Sequence, residues 1–172
     1  MKIVAVIERQ TRWAGYLGAV LILPLVLALV YEVFSRYVLG KPTLWAFEIS
    51  YMVMGAIFML GMANALRVGQ HVSVDVLSQN FAPRLRARVH LACYVVLLPV
   101  LMWLVWELWL YALEAFFSNE RSGRSAWNPV IWPVFGVWWL GFVYLTLQVA
   151  AEILKLWSTL LGDGPGPVFF FF

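Results

Sequence analysis

The two histidines are the residues of this sequence best suited to ligate a haem. His71 and His90 both lie where a long apolar run ends or begins, whereas a bis-histidine haem needs two rings facing each other inside a helix bundle. The single cysteine, Cys93, excludes an intrachain disulfide and a thiolate metal cage. We therefore expect no metal and no cofactor. A haem- or quinone-binding membrane anchor of an oxidoreductase, with His71 or His90 as ligand, is the alternative.

Motifs for nucleotide binding and nucleophilic catalysis do not emerge from the sequence. Gly15 and Gly18 lie within an apolar run and not between a strand and a helix, so their spacing does not indicate a phosphate-binding loop. No serine has an obvious histidine and acid to complete a nucleophilic set. The sequence therefore predicts no catalytic residues and a protein that is not an enzyme.

Ionisable residues at or inside the apolar runs are the remaining candidates. Glu32 and Arg36 lie one helical turn apart, Glu48 follows Trp45 at the start of a run, and Glu107 lies inside another run. Ionisable groups in a membrane span are costly and usually face protein or a water-filled cavity. We predict that Arg36 pairs with Glu48 or Glu107 across helices and fixes their register. A proton relay or substrate site is the alternative.

Long apolar runs predict the elements that must position these residues. The chain has 172 residues, of which 63% are hydrophobic and 12% charged, whereas about a quarter of a soluble domain is charged. A bilayer core about 30 Å thick needs roughly 20 helical residues, and backbone amides in lipid must be satisfied internally. We predict an all-α membrane protein with transmembrane helices at about 13–34, 47–67, 89–113 and 130–154.

The distribution of lysine and arginine predicts the orientation of these helices. Eight of the 12 lie in the N-terminal arm, in the loop after the second span and in the tail, and the other four lie on the opposite side. The positive-inside rule then places both termini in the cytoplasm. We expect a cytoplasmic interfacial arm at 1–12, a four-helix domain at 13–155 and a tail at 156–172. Short amphipathic helices are expected at the interface, in the arm and at 71–88.

The stretch LRVGQHVSVDVL, residues 66–77, interrupts the apolar pattern after the second span. Arg67 complements the helix dipole at this end, and Gly69 permits the left-handed backbone that ends a helix. His71 and Asp75 then alternate with valines, which we expect to enter the interface or a partner while the polar side chains meet water or backbone amides. Capping of a following helix is the alternative role for Asp75. An ordinary solvated turn with chance alternation is the alternative.

Three segments, taken in order, resemble the small membrane subunit of tripartite ATP-independent periplasmic (TRAP) transporters, the DctQ family. They are YEVFSRYVLGKPTLWAFEIS, GMANALRVGQHVSVDVL and SNERSGRSAWNPVIWP, and the resemblance covers residues from about 8 to 154. Its most specific part is the ordered set Arg36-Tyr37, Trp45 with Glu48, Arg67-x-Gly69-x-His71, and Asp75. The chain has Phe47 where the family often carries a second acid.

The resemblance implies a multi-pass protein of the bacterial inner membrane with two protein partners. These are a large TRAP membrane subunit, which holds the sodium and solute sites and moves an organic acid, and a periplasmic solute-binding protein. The small subunit would scaffold the large one among membrane lipids. The net charge of +3 is too small and scattered to indicate nucleic acid. The structural or interface candidates are Arg36, Trp45, Glu48, Arg67, Gly69, His71, Asp75 and Glu107, and the candidates for docking the binding protein are Lys41, Arg121 and Arg124.

Overall fold

Five α-helices form the described part of the protein. The computed structural model describes residues 2–69 and 83–160. The helices are α1 (Lys2–Val20), α2 (Ile22–Tyr37), α3 (Ala46–Arg67), α4 (Pro83–Phe117) and α5 (Trp132–Leu160). The segments long and apolar enough to cross a membrane are Lys2–Tyr37, Ala46–Arg67, Ala87–Phe117 and Trp132–Ser158. The predicted all-α class with four potential membrane spans is thereby confirmed.

The first span differs in its boundaries from the sequence prediction. Residues 2–12 of the expected N-terminal arm form the first part of α1, and the helical path is interrupted at Leu21. Pro24 explains this position, because it lacks an N–H and its ring crowds the carbonyl four residues earlier, that of Val20. The interfacial location of the arm and the orientation of the termini stay predictions. Of the second expected amphipathic helix, residues 71–82 lie outside the described residues and 83–88 belong to α4.

Helix α5 occupies the centre of the packing. It contacts α4 on one side and α3 on another, and α1 and α2 pack against α3. A core cluster joins α3, α4 and α5 through the residues Ala63, Leu66, Leu101, Leu145 and Val149. Helix α4 lies at the edge, since only 6% of its most apolar stretch is buried within the chain, against 28% for α5. Most of the α4 surface is therefore left for lipid or for another protein.

Glycines set the distance between neighbouring helices. A Cβ atom added at Gly141 of α5 would lie 2.6 Å from the carbonyl oxygen of Met59 in α3. A Cβ atom at Gly18 of α1 would lie 3.3 Å from the carbonyl oxygen of Ile57. Small residues at such crossings allow two membrane helices to approach backbone to backbone.

The end of α3 has the geometry expected for a glycine that terminates a helix. Gly69 has φ +73°, and its N–H donates to the carbonyl oxygen of Leu66 at 3.1 Å. Arg67 donates from Nε and Nη2 to Oδ1 of Asn64, at 3.0 and 2.9 Å. Arg67 is therefore held against its own helix by a side chain one turn earlier.

Candidate functional site

The connection between α4 and α5, residues 118–131, is held in shape by its own backbone. Ser122 N–H donates to the carbonyl oxygen of Pro129 at 3.0 Å, and Ile131 N–H donates to that of Glu120 at 3.1 Å. Across the turn, Gly123 N–H donates to Oδ1 of Asn128 at 2.9 Å. The 118–131 loop is therefore a short antiparallel hairpin that holds its side chains in fixed positions.

A buried carboxyl group ties this loop to the start of α3. Glu48 is only 2% exposed although it lies in the first turn of the helix. The hydroxyl of Ser125 donates a hydrogen bond to Oε1 of Glu48. A buried acid needs such a donor, because its loss leaves a polar group without water or protein to satisfy it. Glu48 is thus an anchor for the 118–131 loop.

A cavity of about 320 Å³ lies between the loop and helices α3, α4 and α5. Its ionisable lining balances two acids, Glu48 and Glu120, against two guanidinium groups, Arg121 and Arg124. Its aromatic wall is formed by Tyr51, Tyr111, Phe135 and Trp138. A mixed lining of this kind suits a polar or charged group presented by a partner, since guanidinium groups recognise carboxylates and aromatic rings contribute contact area.

The two arginines of the loop are directed by specific contacts. The guanidinium carbon of Arg124 lies 4.7 Å from the centre of the Tyr51 ring, which is within cation–π range. Arg121 donates from Nη1 to the carbonyl oxygen of Asn128 at 3.1 Å. Both arginines are exposed. The positive charge of the loop is therefore presented at the surface beside the cavity.

The expected pair between Arg36 and Glu48 or Glu107 is not formed. Arg36 donates from Nε to Oε1 of Glu32 at 2.9 Å, and its Nη2 binds the same oxygen. This prediction was wrong for two reasons. Glu48 accepts a hydrogen bond from Ser125, and α4, which carries Glu107, does not pack on α2. The i,i+4 spacing within one helix supplied the nearer partner.

Glu32 also holds the turn between α2 and α3, residues 38–45. Oε2 of Glu32 accepts the backbone N–H of Thr43 at 2.9 Å and also the Thr43 hydroxyl. The ring of Trp45 stacks on that of Tyr31, with centroids 5.8 Å apart. Lys41 is exposed, and its N–H donates to the carbonyl oxygen of Ser35 at 3.0 Å. Lys41 is therefore displayed on an ordered turn.

A second polar cluster lies at the end of the helices opposite the 118–131 loop and was not predicted from the sequence. Lys155 Nζ contacts Oε1 of Glu8 at 3.0 Å and also binds Oε1 of Glu152. The same oxygen of Glu152 accepts a hydrogen bond from Nε2 of Gln148 at 2.8 Å. The i, i+4, i+7 spacing of the three α5 residues was the available signal. Their partner on α1 could not be found from spacing. This cluster fastens α1 to α5.

The structure therefore distributes the candidate residues over several places. Glu48, Arg121 and Arg124 line one cavity, and Arg36, Lys41 and Trp45 belong to the α2–α3 region. Glu107 lies alone on α4, while Arg67 and Gly69 lie at the opposite end of α3. His71 and Asp75 lie outside the described residues. Within residues 2–69 and 83–160 no group of three or more His, Cys, Asp and Glu side chains is placed to hold a metal.

A comparison with known protein families identifies the family of this chain. Residues 25–159 match the family described as tripartite ATP-independent periplasmic transporters, DctQ component, which covers most of the chain. The chain belongs to the DctQ family. It is therefore the small subunit of a TRAP transporter and a multi-pass membrane protein, as the ordered motifs indicated. A comparison with curated proteins gave no match. Membership of DctQ does not favour a haem- or quinone-binding anchor.

Proposed function

We propose that this DctQ subunit is a stationary scaffold for the large membrane subunit in sodium-coupled uptake of an organic acid across the bacterial inner membrane. The observation that carries the proposal is the peripheral position of α4, which contacts α5 and leaves a broad apolar surface uncovered. A surface of this extent suits lipid and a large membrane partner. Both chain ends are proposed to be cytoplasmic, in keeping with the distribution of lysine and arginine.

The proposed mechanism is mechanical support. A transporter that carries its solute by moving one part needs another part that stays fixed in the bilayer. Close helix contacts at Gly18 and Gly141, together with the Lys155–Glu8 pair, favour a layer that moves as one unit. Arginines at the cytoplasmic boundary add attraction to anionic headgroups of about 1 kcal/mol each. The extra spans would then resist tilting of the fixed part.

Removal of the subunit tests the scaffold. We expect a tagged form of this chain to co-purify with the large subunit, and we expect cells that lack it to lose solute uptake while the large subunit is still made. Proteoliposomes that hold this chain alone should show no uptake. Uptake by the isolated chain, or full uptake without it, would contradict the proposal.

We further propose that the 118–131 loop and the 38–45 turn help to dock the periplasmic solute-binding protein. Support comes from the exposure of Lys41, Arg121 and Arg124 on ordered backbone. Fixed positive charges at an interface steer association and set its register more than they add affinity.

Charge removal at the loop tests docking. In the double variant Arg121→Ser, Arg124→Ser we expect the concentration of binding protein that gives half-maximal uptake to rise about tenfold at low salt, with the maximal rate little changed. Arg12→Ser is the control, because Arg12 is an exposed arginine of α1 distant from the loop. Unchanged uptake over the whole range of binding-protein concentration would remove the loop from docking.

A further inference from the structure

One stripe of the uncovered α4 surface carries an acid among large apolar side chains. We call it the acid face and define it as the residues Val96, Val100, Trp103, Glu107 and Leu110. All five are exposed, the four apolar ones by 44% to 70%. Their spacing of three and four residues places them along one side of the helix, roughly opposite Leu101, which is buried in the core cluster.

Glu107 is deep in the span and not at its end. The Trp109 ring contacts that of Trp139, with centroids 4.8 Å apart, so Glu107 lies near the level of Gly141 on the antiparallel α5. Gly141 in turn abuts Met59, which is near the middle of α3. The Glu107 carboxyl group therefore lies within the hydrocarbon layer, ten residues or roughly 15 Å from the Phe117 end of α4.

An acid at this depth is costly when only lipid surrounds it. Within residues 2–69 and 83–160 the structure gives Glu107 no hydrogen bond and no ion pair, and the side chain is exposed. Glu107 differs in this respect from Glu48 and Glu32, each of which accepts hydrogen bonds. Ionisable residues in spans usually face protein and pair there. A donor from outside this chain is the arrangement that relieves the cost.

We propose that the acid face is the surface on which a transmembrane helix of the large subunit packs, and that this helix carries a lysine or arginine that pairs with Glu107. Charge complementarity selects this occupant over lipid, because acyl chains offer no donor at that depth. Trp103, one turn from Glu107, adds an aromatic face beside the pair, which favours a cation there. This inference rests on the proposed scaffold function and specifies the surface it uses.

Replacement of Glu107 by leucine tests the pair. Leucine is favourable in lipid, so Glu107→Leu should insert and fold at least as well as the wild type. We expect the amount of large subunit that co-purifies with the tagged chain in mild detergent to fall about tenfold, in the range of an interhelical polar contact. Glu114→Leu makes the same chemical change on the same side of α4 but within one turn of its end, where water can solvate the acid, and should leave co-purification nearly unchanged.

Cysteine cross-linking locates the surface independently. In a Cys93→Ser background, Val100→Cys should form a cross-link to the large subunit with a short thiol-directed or photoactivatable reagent. Met102→Cys is the control, because Met102 is similarly exposed and nearly level but lies roughly 160° around the helix. Equal cross-linking at both positions, or at Met102 alone, would overturn the proposal.

The scaffold function and the acid face are tested separately by these measurements. If the wild-type chain brings down no large subunit, the scaffold function itself is wrong. If the wild-type chain brings down the large subunit and Glu107→Leu does so equally well, the scaffold stands and the acid face is not its contact.

Discussion

Replacing Gly141 by leucine is expected to separate α3 from α5 and to lower the stability of the subunit more than other single changes in the helices. The added Cβ atom would lie 2.6 Å from a backbone carbonyl oxygen and 2.8 Å from the Cβ atom of Met59. Neither atom is the end of a flexible side chain, so the helices themselves must move. Overpacking of this kind costs about 1–3 kcal/mol or more, which corresponds to a fall in melting temperature of roughly 2–12 °C for a chain of this size in detergent.

Gly136 provides the matched control on the same helix. A Cβ atom added there meets no atom within 4 Å. Gly136→Leu should therefore leave the melting temperature within about 2 °C of the wild type, or raise it slightly because leucine favours helix. Thermal unfolding followed by fluorescence-detected size exclusion measures both variants. Equal melting temperatures for the two variants would show that the α3–α5 contact does not depend on the missing side chain.

The second large effect is expected from replacing Glu48 of α3. It should appear as more frequent opening of the 118–131 loop and not as a change in the helices. Glu48→Ala removes the acceptor of the Ser125 hydroxyl and so frees the loop from α3. Hydrogen bonds to charged groups contribute about 1.5–3 kcal/mol, so the loop should open at least about tenfold more often. Trypsin cleaves after Arg121 and Arg124, both exposed on the loop, and its rate of cutting there measures the opening.

Ser125→Ala and Glu48→Gln complete this test. Ser125→Ala should speed cleavage as much as Glu48→Ala does, and the double variant should add little, because both changes remove one contact. Glu48→Gln keeps an acceptor oxygen but removes the acid, so its loop should be cleaved at a rate between those of the wild type and Glu48→Ala. Global stability should fall more in Ser125→Ala, which leaves a buried acid without its donor, than in Glu48→Ala. Unaltered cleavage in Glu48→Ala would show that the backbone of the hairpin alone holds the loop.

The secondary structure of this protein followed from local chemistry and was therefore open to prediction from the sequence. Within lipid each backbone N–H must find its acceptor in the same helix, so a long uncharged run determines a helix and its approximate length. Gly69 ended α3 for an equally local reason, namely its freedom to adopt positive φ. The ordered motifs from Arg36 to Asp75 likewise indicated the family that the comparison then matched.

The hydrogen-bond and ion-pair partners of the charged side chains could not be predicted from the sequence in this way. The Arg36–Glu32 pair is an exception, because it is an i,i+4 contact within one helix. Ser125 donates to Glu48 from a distant loop, and Lys155 pairs with Glu8 on the first helix. Each of these two long-range contacts depends on which helices are neighbours and how each is rotated about its axis.

The sequence by itself determined the helices, the family and the list of charged residues that such helices must accommodate. The tertiary structure alone decided which of those charges are satisfied within the chain and which, like Glu107, are left on the surface. The reason is one of range. Backbone hydrogen bonding in a helix acts over four residues, whereas contacts such as that of Gly141 with Met59 fix helix neighbours between parts of the chain far apart in sequence.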